Sequence, residues 1–454
     1  MISKFKEDVP QDMEHPQVRH KALVDAGYLA FAHLLNEGNG ADSRQKAFQK
    51  FRDNFMDGIQ KRTDETAEAY ELRRVWSEQR MDQFEQWFVE CQEVKLGLKV
   101  DQKTNESVAD LLFEALPETP LFKSIEQGSE SASYFSAIKK PESPVMSVRL
   151  NWAIEQQMQE RYKTIYKLAQ PVAEQAIRKD EAASDGVKDA RVEFSNRMVE
   201  VLTESVGLGA LDLFADIVAV KEHHCLLLGV RCQGQEALNA AFKTIPISEE
   251  QWKLAEAVAT IEGVTIHELD VSADLTPAVK EFYGDSGKVY LGVSDKAFWL
   301  AAGEESRERL EAAIKAVTSA GPGEPDGLLA SVDIQAYPLV KSMHDFAKEE
   351  GGFKLIEEMR KRGLLPSNEK KPAEDKQESK ESRKEKNQQR AQQLANFDWQ
   401  PTALKMLSEM DGTFHMELKR TKEGTIGGDA VSTEGILRAV GALIAQFADE
   451  NLSG

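Results

Sequence analysis

The chain has 454 residues, 41% of them hydrophobic and 30% charged, which is enough for two or three domains with proper cores. A formal net charge of −20 argues against the sequence-independent phosphate contacts of nucleic-acid binding and against a peripheral anchor on anionic lipid. The longest apolar runs, such as CLLLGV at 225–230, have strand length and fall far short of the roughly 20 residues of a membrane-spanning helix.

The opening MISKFKEDVPQDMEHP lacks the apolar core of about 7 to 15 residues that a secretory signal needs, which taken literally places the protein in the cytoplasm. Residues 18–90 read as helices: Phe48, Phe51, Phe55 and Ile59 step by threes and fours, and Tyr70, Phe84, Trp87 and Phe88 continue a broken apolar face. NEGNGADS at 36–43 interrupts the pattern, with Asp42 or Ser43 as the helix cap. A helical run leading into a strand pair looks like the interior of a repeating unit, so we expect a start upstream of Met1. A periplasmic or extracytoplasmic location goes with such an extension.

Three stretches share one pattern of strand, polar turn, strand and helix: 94–125, 211–245 and 411–447. Before the second lies SPVMSVRLNW at 143–152, an alternating strand, followed by a helix with Ile154, Met158, Tyr162, Ile165, Leu168 and Val172 on one stripe. Pro171 is expected to kink or end that helix, because it lacks the backbone donor. A further helix carries Val187, Ala190, Phe194, Met198 and Val201 in register.

The same order recurs with LLASVDIQ at 328–335, the helix beginning at Tyr337, and WQPTALKMLSEMDG leading into the last hairpin. Between the copies, KVYLGVSD and KAFWLAAG form a hairpin over an Asp-Lys turn, and a helix with acids at its start follows. PSNEKKPAEDKQESKESRKEKNQQR at 366–390 contains almost nothing apolar and reads as a disordered or solvated charged insertion. The expected fold class is α+β, with repeated antiparallel sheet units and long amphipathic helical excursions. The expected divisions are 1–142, 143–327 and 328–454.

Chemistry-bearing groups are few. His223, His224, Cys225 and Cys232 are the one compact set of soft metal ligands, but they lack the second ligand pair of a zinc site. The Gly-x-Gly at 207–209 precedes a strand and does not open a helix, so it is no phosphate cradle. His267 with Glu268 and Asp270 suggests a base with an acid helper, yet alternation sends His267 and Glu268 to opposite faces, and a surface histidine is the simpler reading. Trp87, Trp152, Trp299 and Trp399 suit core anchoring better than an aromatic-lined ligand cavity. GxSxG, HExxH and Walker sequences are absent from the chain. The odd number of cysteines, at Cys91, Cys225 and Cys232, forms no disulfide framework.

SVRLNW followed by a helical excursion, and KVYLGVSDKAFWLAAGEESRERLEAAI, resemble uncharacterised, usually exported proteins of planctomycete-type bacteria. Their sheet-and-helix units loosely resemble periplasmic lipoprotein-carrier folds. The resemblance spans most of 85–447 and brings no catalytic motif onto numbered residues. A curved antiparallel sheet facing long amphipathic helices can leave an apolar cleft, so the expected function is a non-enzymatic binding or structural protein that holds an apolar ligand or a partner segment against that sheet. We expect no catalytic residue, no cofactor, no metal and no nucleic acid. The alternative is a cytoplasmic helical scaffold or interaction module.

Overall fold

The computed structural model describes residues 27–36, 40–63, 65–101, 103–130, 132–321, 323–349, 400–410 and 412–452. In chain order its elements are β1 (Tyr28–Leu35), α1 (Ala41–Asp57), α2 (Ala67–Glu90), β2 (Cys91–Asp101), β3 (Glu106–Ala115), α3 (Pro120–Glu130), β4 (Met146–Ala153), α4 (Gln156–Arg178), α5 (Asp185–Val206), β5 (Ala210–Val220), β6 (His223–Arg231) and α6 (Gln235–Ser248). They continue with β7 (Lys253–Ile261), β8 (Val264–Asp270), α7 (Pro277–Tyr283), β9 (Lys288–Val293), β10 (Ala297–Gly303), α8 (Ser306–Ala320), β11 (Leu328–Gln335), α9 (Ala336–Lys348), α10 (Gln400–Glu409), β12 (Thr413–Lys422), β13 (Thr425–Ser432) and α11 (Glu434–Leu452). The strands form one 13-stranded sheet in the order β1-β2-β3-β13-β12-β11-β4-β5-β6-β10-β9-β8-β7. Every pairing is antiparallel, so the fold is α+β.

The strand order reads alike outward from the central β11–β4 pair. One way come β12, β13 and the hairpin β3–β2; the other way come β5, β6 and the hairpin β10–β9. Strands from 1–142, 328–454 and 143–327 therefore lie as three adjacent blocks, in that order, of a single sheet. Helix starts follow local capping: Thr66, Ser184 and Thr276 each accept a backbone N–H from the third residue on, at α2, α5 and α7.

Side chains opposite one another in paired strands share a face, and successive residues alternate between faces. One face is apolar in row after row: Ala30, Leu98, Ala109, Ala430, Met416 and Val332 lead across the centre to Val148, Ala215, Leu228, Leu300 and Leu291. The other face changes character along a single row. Asp110, Asp429, Glu417 and Ser331 give way at Arg149 to Phe214, Gly229 and Trp299. There α8 supplies Leu310 and Ile314, and Phe135 completes the core under Trp299. Gly229 is required at that point: a Cβ would lie 2.7 Å from the Phe135 ring and would strike Phe214 as well.

Several expectations change. Residues 28–35, expected as helix, form β1, because Tyr28, Leu29, Phe31, Leu34 and Leu35 satisfy a helical spacing and a sheet edge equally well. The hairpin β7–β8 joins the sheet although KLAEAVATI gives a weak strand signal. Helix α1 is capped at Gly40, two or three residues before Asp42 or Ser43. Helix α4 runs through Pro171 to Arg178, held along its length between α2 and α5. Trp399 and the 366–390 insertion lie outside the described residues.

Candidate ligand groove on the sheet

The two halves of the apolar face are covered unequally. Over β8–β9–β10, α6 lays down Leu238 and Phe242, and the Phe242 ring meets Phe298 at 5.9 Å and His267 at 6.0 Å. Helix α11, which follows β13 as α6 follows β6, carries no aromatic residue before Phe447. It turns Ile436, Ala439 and Leu443 toward α9 and α10. The sheet of β1, β2, β3, β13 and β12 is left with an open apolar groove of about 520 Å³.

The floor and walls of the groove are side chains of the apolar rows. Leu96 and Leu98 of β2 are 48% and 39% exposed, Ala30, Ala32 and Ala109 are exposed, and Leu111, Met416 and Leu418 are partly covered. The small residues Ala109, Gly428 and Ala430 make it a trough, since they lift nothing above the strands between the leucines of β2 and of β12. Gly428 cannot be enlarged cheaply: a Cβ would lie 2.7 Å from the Glu417 backbone oxygen.

Beneath the trough, on the far face, Asp110, Asp429 and Glu417 stand directly opposite one another on β3, β13 and β12. Tyr28 donates its hydroxyl to Asp110 at 2.9 Å, and Lys99 lies 3.6 Å from the same carboxylate. Burial raises the Asp429 carboxyl above its ordinary range, with Glu417 and Asp110 adding repulsion and His415 opposing it. A carboxyl raised in the fold destabilises the fold at pH above its unfolded value of 3.8, increasingly as pH climbs through the folded value, and has no such effect below both. Asp429→Asn should therefore raise stability at pH 7 by roughly 0.2–1 kcal/mol, the scale of a cross-strand like-charge pair. Urea titrations at pH 7 and pH 3.5 check this: the gain should vanish at the lower pH, and a gain that persists there would assign it to packing instead.

A second cavity, about 530 Å³, lies between α2 and α4 and is polar, lined by Gln79, Asp82, Gln86, Glu90, Glu155 and Arg161. Burial raises the Glu90 and Glu155 carboxyls. These groups are already engaged. Glu90 accepts the Leu121 N–H at 2.7 Å at the start of α3, Arg161 pairs with Asp82, and Arg161 donates to the Gln79 amide oxygen at 3.3 Å.

The histidines and cysteines singled out by sequence occupy structural positions. His223 and His224 begin β6, each with Nδ1 at a backbone carbonyl of α7, Glu281 at 3.2 Å and Phe282 at 2.9 Å, and His224 stacks on the Phe282 ring at 4.0 Å. Cys225 and Cys232 are buried on opposite faces of the sheet, and burial pushes both thiols, and that of Cys91, up to about 11. Among the described residues no group of three or more His, Cys, Asp or Glu is arranged to hold a metal.

His267 is 4% exposed, not a surface residue. Burial lowers its pKa, and its Nε2 lies 2.9 Å from the Asn239 Oδ1 of α6. Glu268 faces the other way and pairs with Lys288 at 2.7 Å. Gly207 and Gly209 close α5 and turn the chain into β5, with Gly209 at φ +71. Trp299 is 1% exposed in the core, Trp152 packs beside Leu329 and Ile426, and Trp87 lies on Phe113 at 4.7 Å. None of the three lines the groove.

No family model matches this chain, and neither a curated protein nor a solved structure matches it. The groove rests on its own geometry. No helix among the described residues is long and apolar enough to cross a membrane.

Proposed function

We propose that the protein is a non-enzymatic binding protein that holds an apolar chain, an acyl group or an equivalent apolar segment, in the groove over β1–β2–β3–β13–β12. The observation that carries this reading is the unequal cover of one apolar sheet face. Where α6 buries Leu291 and packs beside a partly buried Leu300, the corresponding half leaves Leu96 and Leu98 in solvent over a trough of about 520 Å³. That volume falls in the range of small-molecule sites, roughly 300–1,000 Å³. Exposed apolar surface concentrated in a concavity marks a binding site more often than scattered leucines do. The engaged groups of the polar cavity and the buried, high-pKa thiols support a structural use of those residues.

The matching strand order on either side of β11–β4 supports an internal duplication as the origin of the sheet. An extracytoplasmic location belongs to the same reading through the resemblance to exported proteins.

A fluorescent fatty-acyl probe should bind the purified protein in the micromolar range and be displaced by unlabelled fatty acid. Ala109→Trp, which fills the trough from an exposed floor position where a strand accepts an aromatic residue, should weaken binding at least tenfold with an unchanged unfolding midpoint. Absence of probe binding, or binding indifferent to Ala109→Trp, rejects the groove.

A further inference from the structure

Twelve of the twenty large hydrophobic side chains exposed among the described residues lie between Leu29 and Val100. Ten of them join into one surface; Leu35, opposite Glu93, faces the other way. On the sheet, Leu34 stands opposite Val94 and Val94 opposite Phe113, whose ring carries Trp87 of α2. Phe84 and Phe88 share that side of α2 and meet Phe48 of α1 at 5.7 and 6.0 Å; Phe48 in turn meets Phe51 at 5.7 Å.

Phe51, Phe55, Phe84, Trp87 and Phe88 are 37–53% exposed. At about 150–250 Å² for a whole aromatic side chain, the five offer roughly 400 Å². Leu29, Leu34, Leu96, Leu98 and Val100, 37–71% exposed, bring the surface to the order of 800 Å², one partner's share of a stable protein interface. Monomers ordinarily leave bare a patch of only a few hundred Å².

The two terminal strands of the described sheet also differ. β7 carries Lys253 and Glu256 and breaks register between Ala255 and Ala259, with Ala257 at φ +49, the devices by which a sheet edge resists association. β1, YLAFAHLL, shifts register only at its start, between Tyr28 and Ala30, and contains no Lys, Arg, Asp, Glu or Pro.

We propose that a second copy of this chain covers the surface, in a two-fold dimer built on β1–β2 and the aromatic side of α1 and α2. A two-fold axis brings the same patch to itself, so its area is buried on both copies. This inference does not rest on the ligand reading, but its surface includes Leu96 and Leu98 of the groove floor, so the second copy roofs the groove; its test uses Leu29 and Phe84, which do not line the groove.

Sedimentation equilibrium of the full chain at micromolar concentration should give twice the chain mass. Leu29→Glu and Phe84→Glu, at side chains 71% and 53% exposed, should each weaken association at least tenfold, while Val258→Glu on β7 should leave it unchanged. Circular dichroism of each variant should show an unaltered fold. A wild-type chain that stays monomeric throughout the range overturns the proposal, and so does a dimer that neither Leu29→Glu nor Phe84→Glu weakens. A monomer that binds the acyl probe would reject the dimer and leave the groove standing.

Discussion

Phe135→Ala should cost about 3–5 kcal/mol, the range for removing a buried aromatic ring. Phe135 is 2% exposed in a segment without helix or strand, yet its ring meets Phe214 at 5.1 Å and Trp299 at 5.2 Å, both edge-on. Gly229 leaves the space that the ring fills, so the truncated side chain has no neighbour able to replace it. The segment is tied down by Asp212, which is fully buried and accepts the Ser133 hydroxyl and the Tyr134 N–H, each at 2.6 Å. With the backbone so held, the site cannot collapse and the cavity persists. Urea unfolding followed by circular dichroism measures the loss; a change below about 1 kcal/mol would show that the core closes over the gap.

The second large effect is expected at the centre of the sheet. Arg149 of β4 makes a bidentate pair with Asp216 of β5, at 2.7 and 2.9 Å, and lies over the Phe214 ring at 5.2 Å. Asp216 is 4% exposed. Arg149→Ala leaves that carboxylate buried without its cation, at a cost of about 3–5 kcal/mol. The double variant Arg149→Met with Asp216→Leu should recover most of the loss, because apolar residues of similar volume replace a buried ion pair at little or no cost. If the single and double variants prove equally unstable, the pair is holding strand register, and its charges are not the main term.

The hairpins were legible because each alternates apolar and polar residues around a short polar turn, as in β5–β6 over Lys221 and Glu222 and β9–β10 over Asp295 and Lys296. Local spacing decides such elements. β1 was not legible, since its leucines and aromatics fit either period and its strand state comes from pairing with β2, some sixty residues on. Pro171 lies inside a helix for a similar reason: packing against α2 and α5 outweighs one lost hydrogen bond. His267 looked like a surface residue because the cover that buries it, Phe242 and Asn239, arrives from another element.

The groove was legible only in part. Alternation in β2 and β3 marks Leu96, Leu98, Ala109 and Leu111 as one face of a strand pair, and a curved sheet facing helices suggests an apolar cleft. Which half of the sheet stays open depends on whether the helix after the hairpin carries a Phe242. That is a tertiary fact, visible only once α6 and α11 are seen against their strands.

The most direct test of the groove as the binding site is photo-crosslinking with a diazirine-bearing fatty acid, followed by peptide mapping. The account predicts labels on the β2–β3 hairpin around Leu96–Leu111 and on β12–β13 around Met416–Ala430, lost in Ala109→Trp. Labels confined to the α2–α4 cavity around Gln79 and Met158, or spread without preference over the surface, would contradict it.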